Sequence, residues 1–272
     1  MKLLYIFISV LVLSISVNAQ DKHHGDKKHG DKKHDSNTCE PTSCERWKFE
    51  FTAGAWNTAV GGDVTANSLP GNIYLPLKNK FDGADFSYSA DFEMRKGVIK
   101  IIGQFTSLNQ TGDGTFVNSI YQKSHSTIRP VYVVGGIAFD FYSDKALQLD
   151  LLGGIRWNII RNQVQTTYMN GVVQSETEKR AYIDPLVGGR FYYTPFTHRG
   201  WKNIYFKGYM DIGGLGLVSK LAFQSYLAAG YNINETFSLR LGYRYFDDHY
   251  VKGNFLYDVG FQGFEFAATT RF

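Results

Sequence analysis

Along residues 237–246 apolar and polar side chains alternate without interruption. Phe237, Leu239, Leu241, Tyr243 and Tyr245 fall on one face, and Ser238, Arg240, Gly242 and Arg244 on the other. A period of two with one oily face and one charged face predicts a β-strand lying between two very different surroundings. Residues 201–213 divide in the same way, with Ile204, Phe206, Met210 and Ile212 opposite Asn203, Tyr205, Lys207, Tyr209 and Asp211. In residues 147–159 the oily set is Leu147, Leu149, Leu151, Ile155 and Trp157, and its counterpart holds Gln148, Asp150, Arg156 and Asn158. The same test along the chain predicts about ten strands. They fall at 47–59, 84–95, 98–107, 121–142, 147–160, 181–193, 201–213, 221–232, 236–246 and 255–272. Pro130 cannot donate a ladder hydrogen bond, so within the fourth it marks a start or a bulge.

The connections alternate in length. Residues 96–97, 143–146 and 233–235 are tight turns, and 194–200 is a somewhat longer one on the same side. The opposite side carries long loops at 60–83, 108–120 and 161–180 and shorter ones at 214–220 and 247–254. Short turns at one end and long loops at the other belong to an all-β, transmembrane, up-and-down antiparallel β-barrel. About ten strands is the expectation, with eight to twelve satisfying the same pattern, and an even count brings both termini to one end. A soluble sandwich also alternates, but its outward faces are not this aromatic.

The inward faces collect charge of both signs. The cations are Lys48, Arg95, Lys100, Arg156, Arg190, Lys207, Arg240, Arg244 and Arg271. The carboxylates are Glu50, Asp85, Asp91, Glu93, Asp140, Asp150, Asp184, Asp211 and Glu265. A barrel of roughly eight to ten strands has an interior that side chains can fill, and enclosed charges must be paired, so a cross-linked plug is expected rather than a wide pore. A narrow gated polar pathway is the alternative. Trp47, Trp157, Trp201, Tyr192, Tyr193, Tyr231 and Phe272 fall near strand ends, where rings form interfacial girdles.

Residues 1–19 have a basic start at Lys2, an apolar stretch and small residues before Ala19, the pattern of a signal peptide. Residues 20–46 form a tail in which Gly-Asp-Lys-Lys-His occurs twice; no apolar cluster exists there to bury, so disorder is expected. The barrel domain occupies 47–272. His23, His24, His29 and His34, with nearby carboxylates, could hold zinc, nickel or copper weakly, and a solvated spacer is the alternative. In an oxidising compartment Cys39 and Cys44 are expected to form a short-loop disulfide; if reduced they could join the metal ligands. Mean hydropathy of -0.25 with 16% aromatic residues suits a barrel, where only every second residue faces lipid. A formal charge of +4 is too small to argue for nucleic acid.

A closing strand that ends in Phe272 resembles the assembly signal of Gram-negative outer-membrane β-barrels. The stretches Asp184-Pro185-Leu186-Val187-Gly188-Gly189-Arg190-Phe191, Asp211-Ile212-Gly213-Gly214-Leu215-Gly216, Leu241-Gly242-Tyr243-Arg244-Tyr245, Tyr257-Asp258-Val259 and Arg271-Phe272 resemble a family of small, largely uncharacterised barrels of that membrane. In the first strands only Gly61-Gly62-Asp63-Val64 and Glu93-Met94-Arg95-Lys96-Gly97 fit. The resemblance implies a barrel in the outer membrane, where an even strand count puts both termini in the periplasm; a monomer in contact with lipid and lipopolysaccharide and with the barrel assembly machinery is expected. The resemblance carries no catalytic residue.

Enzymatic chemistry has weak support. Asp247-Asp248-His249 resembles the acid and histidine groups of omptin-type surface proteases, but adjacent residues point apart, and an exposed loop tip is the simpler expectation. Ser124-His125-Ser126 lacks a placed acid, and His198 lies in a turn beside Arg199. The expectation is a non-enzymatic barrel with a structural or surface-interaction role and narrow solute passage as an option. Metal capture by the tail and a surface hydrolase are the alternatives.

Overall fold

The computed structural model describes residues 46–76, 87–116, 120–195 and 203–272. Thirteen strands account for the regular structure of these residues, and no helix occurs among them. They are β1 Lys48–Ala66, β2 Leu69–Leu75, β3 Ser87–Lys96, β4 Ile99–Ser107, β5 Gln110–Thr115, β6 Tyr121–Ile128 and β7 Val131–Ser143. There follow β8 Leu147–Tyr168, β9 Val173–Tyr193, β10 Ile204–Gly213, β11 Leu221–Asn232, β12 Phe237–Lys252 and β13 Phe255–Arg271. The signal peptide, His23, His24, His29, His34, Cys39, Cys44, Asp85, His198 and Trp201 lie outside the described residues.

All pairings are antiparallel and the sheet closes on itself. Following the hydrogen-bond ladders, β1 joins β3, β3 joins β4, β4 joins β7 and β7 joins β8; β8 to β13 then pair in sequence order and β13 returns to β1. In the ring of β1, β3, β4 and β7 to β13 every strand has a partner on both sides, which an apolar medium requires because it offers no water to backbone N–H and C=O groups. At the end carrying Lys48 and Arg271, the β3–β4, β7–β8 and β11–β12 turns are short, and the last two are side-chain stapled. Asp144 Oδ1 accepts the amides of Ala146 and Leu147, each at 2.7 Å, and Asn234 Oδ1 accepts those of Thr236 and Phe237 at 2.9 and 2.7 Å. These Asx turns fix the hairpins β7–β8 and β11–β12.

Two strands are longer than the wall they share, and this creates a second storey. The first half of β1 pairs with β3 over 48–56, and its second half pairs with β2 over 60–66. Likewise β8 pairs with β7 up to Ile159 and with β6 from Asn162 onward. Strands β2, β5 and β6 thus fill the far half of the wall between β1 and β8. The hairpin β1–β2 turns at Asn67 and Ser68, both at positive φ (47° and 70°), the two-residue geometry that matches strand twist. Asn67 is tied across to β9, its N–H donating to Glu178 at 2.7 Å and its Nδ2 to Glu176 at 3.0 Å.

Two expectations need correction. The span 121–142 is two strands, β6 and β7, interrupted at Arg129 and Pro130. The described parts of the segments 60–83, 108–120, 161–180 and 247–254 are largely ladder rather than loop, holding the far parts of β1, β8, β9 and β12 together with β2 and β5. The cause is a reversal of chemistry, not of geometry. In β8 the even-numbered residues point inward throughout, yet the oily set is Leu149, Leu151, Ile155 and Trp157 (odd) at first and Ile160 and Val164 (even) afterwards. In β13 the inward positions are Phe255, Tyr257, Val259 and Phe261 at the far end and Glu265, Ala267 and Thr269 at the other. A strand whose apolar parity switches midway reads as a strand followed by a loop.

Candidate functional site: the closed lumen

In the storey that carries Lys48 and Arg271 the inward side chains bridge the lumen in pairs. Lys100 Nζ meets Asp150 at 2.6 Å, Lys207 meets Glu50 at 3.0 Å, Arg240 meets Asp91 at 2.6 Å, and Arg271 Nε meets Glu50 at 3.1 Å. Arg156 pairs with Asp211 and Arg190 with Glu93. Arg244 Nη2 stands 2.7 Å from Glu265 Oε2, a charge contact without hydrogen-bond alignment, while Arg240 approaches Glu265 Oε1 at 3.4 Å. Arg190 on β9 and Glu93 on β3 come from distant parts of the ring, as do Arg240 on β12 and Asp91 on β3, so these bonds span the interior rather than decorate a wall. The Arg156–Asp211 pair is wholly enclosed, both side chains being 0% exposed. Tyr209 also donates to Asp211, and Arg156 donates to Gln224 at 3.3 Å.

Outside this storey the wall is apolar. Leu151, Ile155, Ile183, Met210, Leu227, Leu241, Phe264 and Phe266 are all exposed. An oily exterior around a charged interior is the inverse of a water-soluble domain and suits a bilayer.

The far storey has the opposite sense. Its interior is a cluster of Trp56, Val60, Val64, Leu69, Ile73, Ile128, Tyr132, Ile160, Val164, Tyr182, Phe246, Tyr250, Phe255, Tyr257, Val259 and Phe261. Tyr182 and Tyr250 stack with ring centroids 3.9 Å apart, and Tyr132 and Tyr257 join through their hydroxyls at 2.9 Å. The outward positions are polar, among them Asp63, Thr65, Arg161, Gln163, Gln165 and Asp258. Between the storeys guanidinium groups lie on rings: Arg156 is 4.8 Å from the Phe246 centroid, and Arg244 is 5.6 Å from that of Trp56 and 5.0 Å from that of Tyr226. Such faces accept a cation while presenting carbon to the core beyond.

Free space falls steeply along the axis. At the end near Lys48 the interior opens into a vestibule of about 400 Å³ lined by Lys48, Glu50, Glu93, Arg95, Lys100, Asp150, Arg190, Tyr192, Lys207, Glu235 and Arg271. Further in, a gap of about 30 Å³ remains beside Asp91, Arg240 and Arg244, and beside Trp56, Tyr132 and Phe246 only about 10 Å³. The innermost gap has room for about one water molecule.

Of the inward set read from the strand pattern, Lys100, Arg156, Arg190, Lys207, Arg240, Arg244 and Arg271 meet carboxylates as pairs, while Asp184 accepts instead from Asn158 Nδ2 (2.9 Å) and the Ser219 amide (3.0 Å), Asp140 accepts from Gln148 (2.6 Å), and Lys48 and Arg95 have no carboxylate at ion-pair distance among the described residues. Other candidates move. Asp248 is no exposed loop tip: it is buried in the far storey and accepts the Tyr182 hydroxyl at 2.5 Å. His249 points the other way and faces Asp258 at 3.3 Å. His125 pairs with Asp113 at 2.7 Å on the outer wall. Tyr192 does not belong to a girdle, because it faces the vestibule and stacks on Tyr205, with centroids 5.1 Å apart. Among the described residues no cluster of metal-ligating side chains occurs. The apolar seal was missed from sequence; its signal is the parity switch in β1, β8, β12 and β13.

No family model and no curated protein matches the chain. Solved structures similar to it include the attachment invasion locus protein Ail of Yersinia pestis, with 13% identity over 83% of this chain and 98% of that one and a TM-score of 0.36. Neisserial surface protein A shares 12% identity over 82% and 97% with a TM-score of 0.30. The outer membrane protease OmpT from Escherichia coli shares 8% over 85% and 98% with a TM-score of 0.42. The closed ladders of this chain, with β13 returning to β1, make it a barrel.

Proposed function

We propose that the chain is an outer-membrane barrel with ten lipid-crossing strands, β1, β3, β4 and β7 to β13, sealed along its axis, which displays its far storey at the cell surface. Both termini then lie in the periplasm. The observation that carries this reading is the inversion along one wall, oily outside and charged inside where lipid would be, polar outside and oily inside beyond it. A lumen crossed by ion pairs and capped by an apolar core is a rigid support, not a conduit. The protein works as a monomer in contact with lipid and lipopolysaccharide, inserted by the assembly machinery through its closing strand, and performs no catalysis.

A role in surface interaction is favoured by the tip of the β8–β9 hairpin. Ile120, Met169, Val172 and Val173 are exposed there, Met169 donates to the Ile120 carbonyl at 3.0 Å, and Tyr121 and Tyr168 pack with centroids 5.0 Å apart. Apolar groups gathered on a polar outer wall mark contact surfaces. Conductance in a planar bilayer tests the seal. Purified protein inserted from detergent should give no unitary current steps in concentrated potassium chloride, and regular steps would replace the support with a channel.

A further inference from the structure

We propose that the vestibule lined by Lys48, Arg95 and Arg271 is a binding site for a small phosphate-bearing anion. Lys48 on β1 is the register partner of Arg95 on β3, and Arg95 is the register partner of Lys100 on β4. Three cations therefore stand side by side on adjacent strands at the mouth, an arrangement that is unfavourable unless something neutralises it. Of the four carboxylates that line the vestibule, three are engaged, and Glu235 stands at ion-pair distance from neither Lys48 nor Arg95. Glu50 binds Lys207 and Arg271, Glu93 binds Arg190, and Asp150 binds Lys100. Among the described residues neither Lys48 nor Arg95 has a carboxylate at ion-pair distance, and both line the open 400 Å³ space.

The cations of the lining (Lys48, Arg95, Lys100, Arg190, Lys207 and Arg271) outnumber its carboxylates (Glu50, Glu93, Asp150 and Glu235), and a concave, low-dielectric wall with such an excess focuses its field on the enclosed solvent. Arginine offers a planar fork and lysine a point charge, a combination suited to the oxygens of a phosphate. The outer wall of the far storey provides a contrast. Arg161 and Lys179 are also register partners there, but they stand on the outer wall and line none of the spaces described above, whereas Lys48 and Arg95 line the vestibule. Enclosure, not charge alone, is what the proposal depends on, and it does not depend on which side of a membrane the mouth faces.

Calorimetric titration of tripolyphosphate into the full-length protein in zwitterionic detergent at low salt tests this. Saturable binding of one anion per chain is expected. Lys48→Gln with Arg95→Gln should weaken it by about tenfold or more, and added salt should weaken it in the wild type. The control Arg161→Gln with Lys179→Gln should bind as the wild type does. Absence of saturation, unchanged affinity in the vestibule variant, or an equal loss in the control would overturn the site. Should the double variant not refold, Lys48→Gln alone, exposed and in no ion pair, gives the same reading at smaller amplitude. Repetition in nanodiscs with and without phosphatidylglycerol separates sources: competition by the anionic lipid assigns a headgroup phosphate, and equal affinity assigns a free solute.

Discussion

The two storeys are built from the same strands, with the same inward parity, yet they are stabilised by opposite means. In the storey that carries Lys48 and Arg271 the interior is filled by Arg156, Asp211, Arg240 and Glu265, while Leu151, Ile155 and Phe264 cover the outside. Beyond Ile160 and Phe261 the interior is aliphatic and aromatic, and the outside carries Gln163, Gln165 and Asp258. Backbone geometry therefore does not decide what goes inside; the solvent around the wall does. Lipid pushes polar groups inward to find one another, and water pushes apolar groups inward for the usual reason. A strand that crosses the boundary must exchange its faces, and β1, β8, β12 and β13 do so within about two residues.

The largest effect should come from unpairing a charge in the ionic storey. Arg156→Leu leaves Asp211 buried and uncompensated, which costs about 3–5 kcal/mol. Arg156→Met combined with Asp211→Leu removes both charges and should regain most of that loss, since apolar replacement of a buried pair is commonly near neutral. Urea unfolding in detergent, followed by tryptophan fluorescence, measures both. If the double variant were as unstable as the single one, the pair would be holding the fold through geometry and not through charge balance.

Much of the ionic storey was legible in the sequence because its signal is simple. Phe237 to Tyr245 alternates without exception, and most of the charges collected from the inward positions, Lys48 and Arg95 apart, meet opposite signs in space. The pairing scheme was not legible, because Arg190 finds Glu93 at a separation of 97 residues and the strand pattern says nothing of which walls face each other. The apolar storey was hidden for a different reason. Its inward residues, such as Val164 and Tyr257, share their strand with an opposite pattern, so a period-two test applied to the whole segment cancels at the switch. Asp248 shows the consequence: placed beyond the switch it reads as a loop carboxylate, and it is instead a buried acceptor for Tyr182.

The inversion itself can be probed by placing one charge at two heights. Leu151 and Gln163 both point outward from β8, one in each storey. Leu151→Arg puts a cation on the lipid face and should destabilise by about 2–4 kcal/mol if it sits near the bilayer midplane. Gln163→Arg changes an exposed polar position and should stay within about 0.5 kcal/mol of the wild type. Unfolding in lipid vesicles is the measurement, since detergent adapts around a charge. Equal penalties at the two positions would place both storeys in the same medium and remove the boundary between them.

The smallest effect lies in the turns, where neither storey's medium acts. Asp144 is fully exposed between β7 and β8, and its carboxyl titrates below the ordinary range because the amides of Leu147 and Ala146 and then the Tyr142 hydroxyl donate to the charged form. A carboxyl lowered in the folded state contributes stability above its unfolded pKa of about 3.9, and that contribution fades as pH falls through the lower folded value. Asp144→Asn keeps an acceptor for the two amides but cannot titrate. The variant should therefore unfold at slightly lower urea than the wild type at neutral pH, and the gap should close as the solution is acidified below about pH 4. A gap that stayed constant with pH would mean that the turn is held by the geometry of its acceptor and not by its charge, leaving electrostatics to the enclosed storey alone.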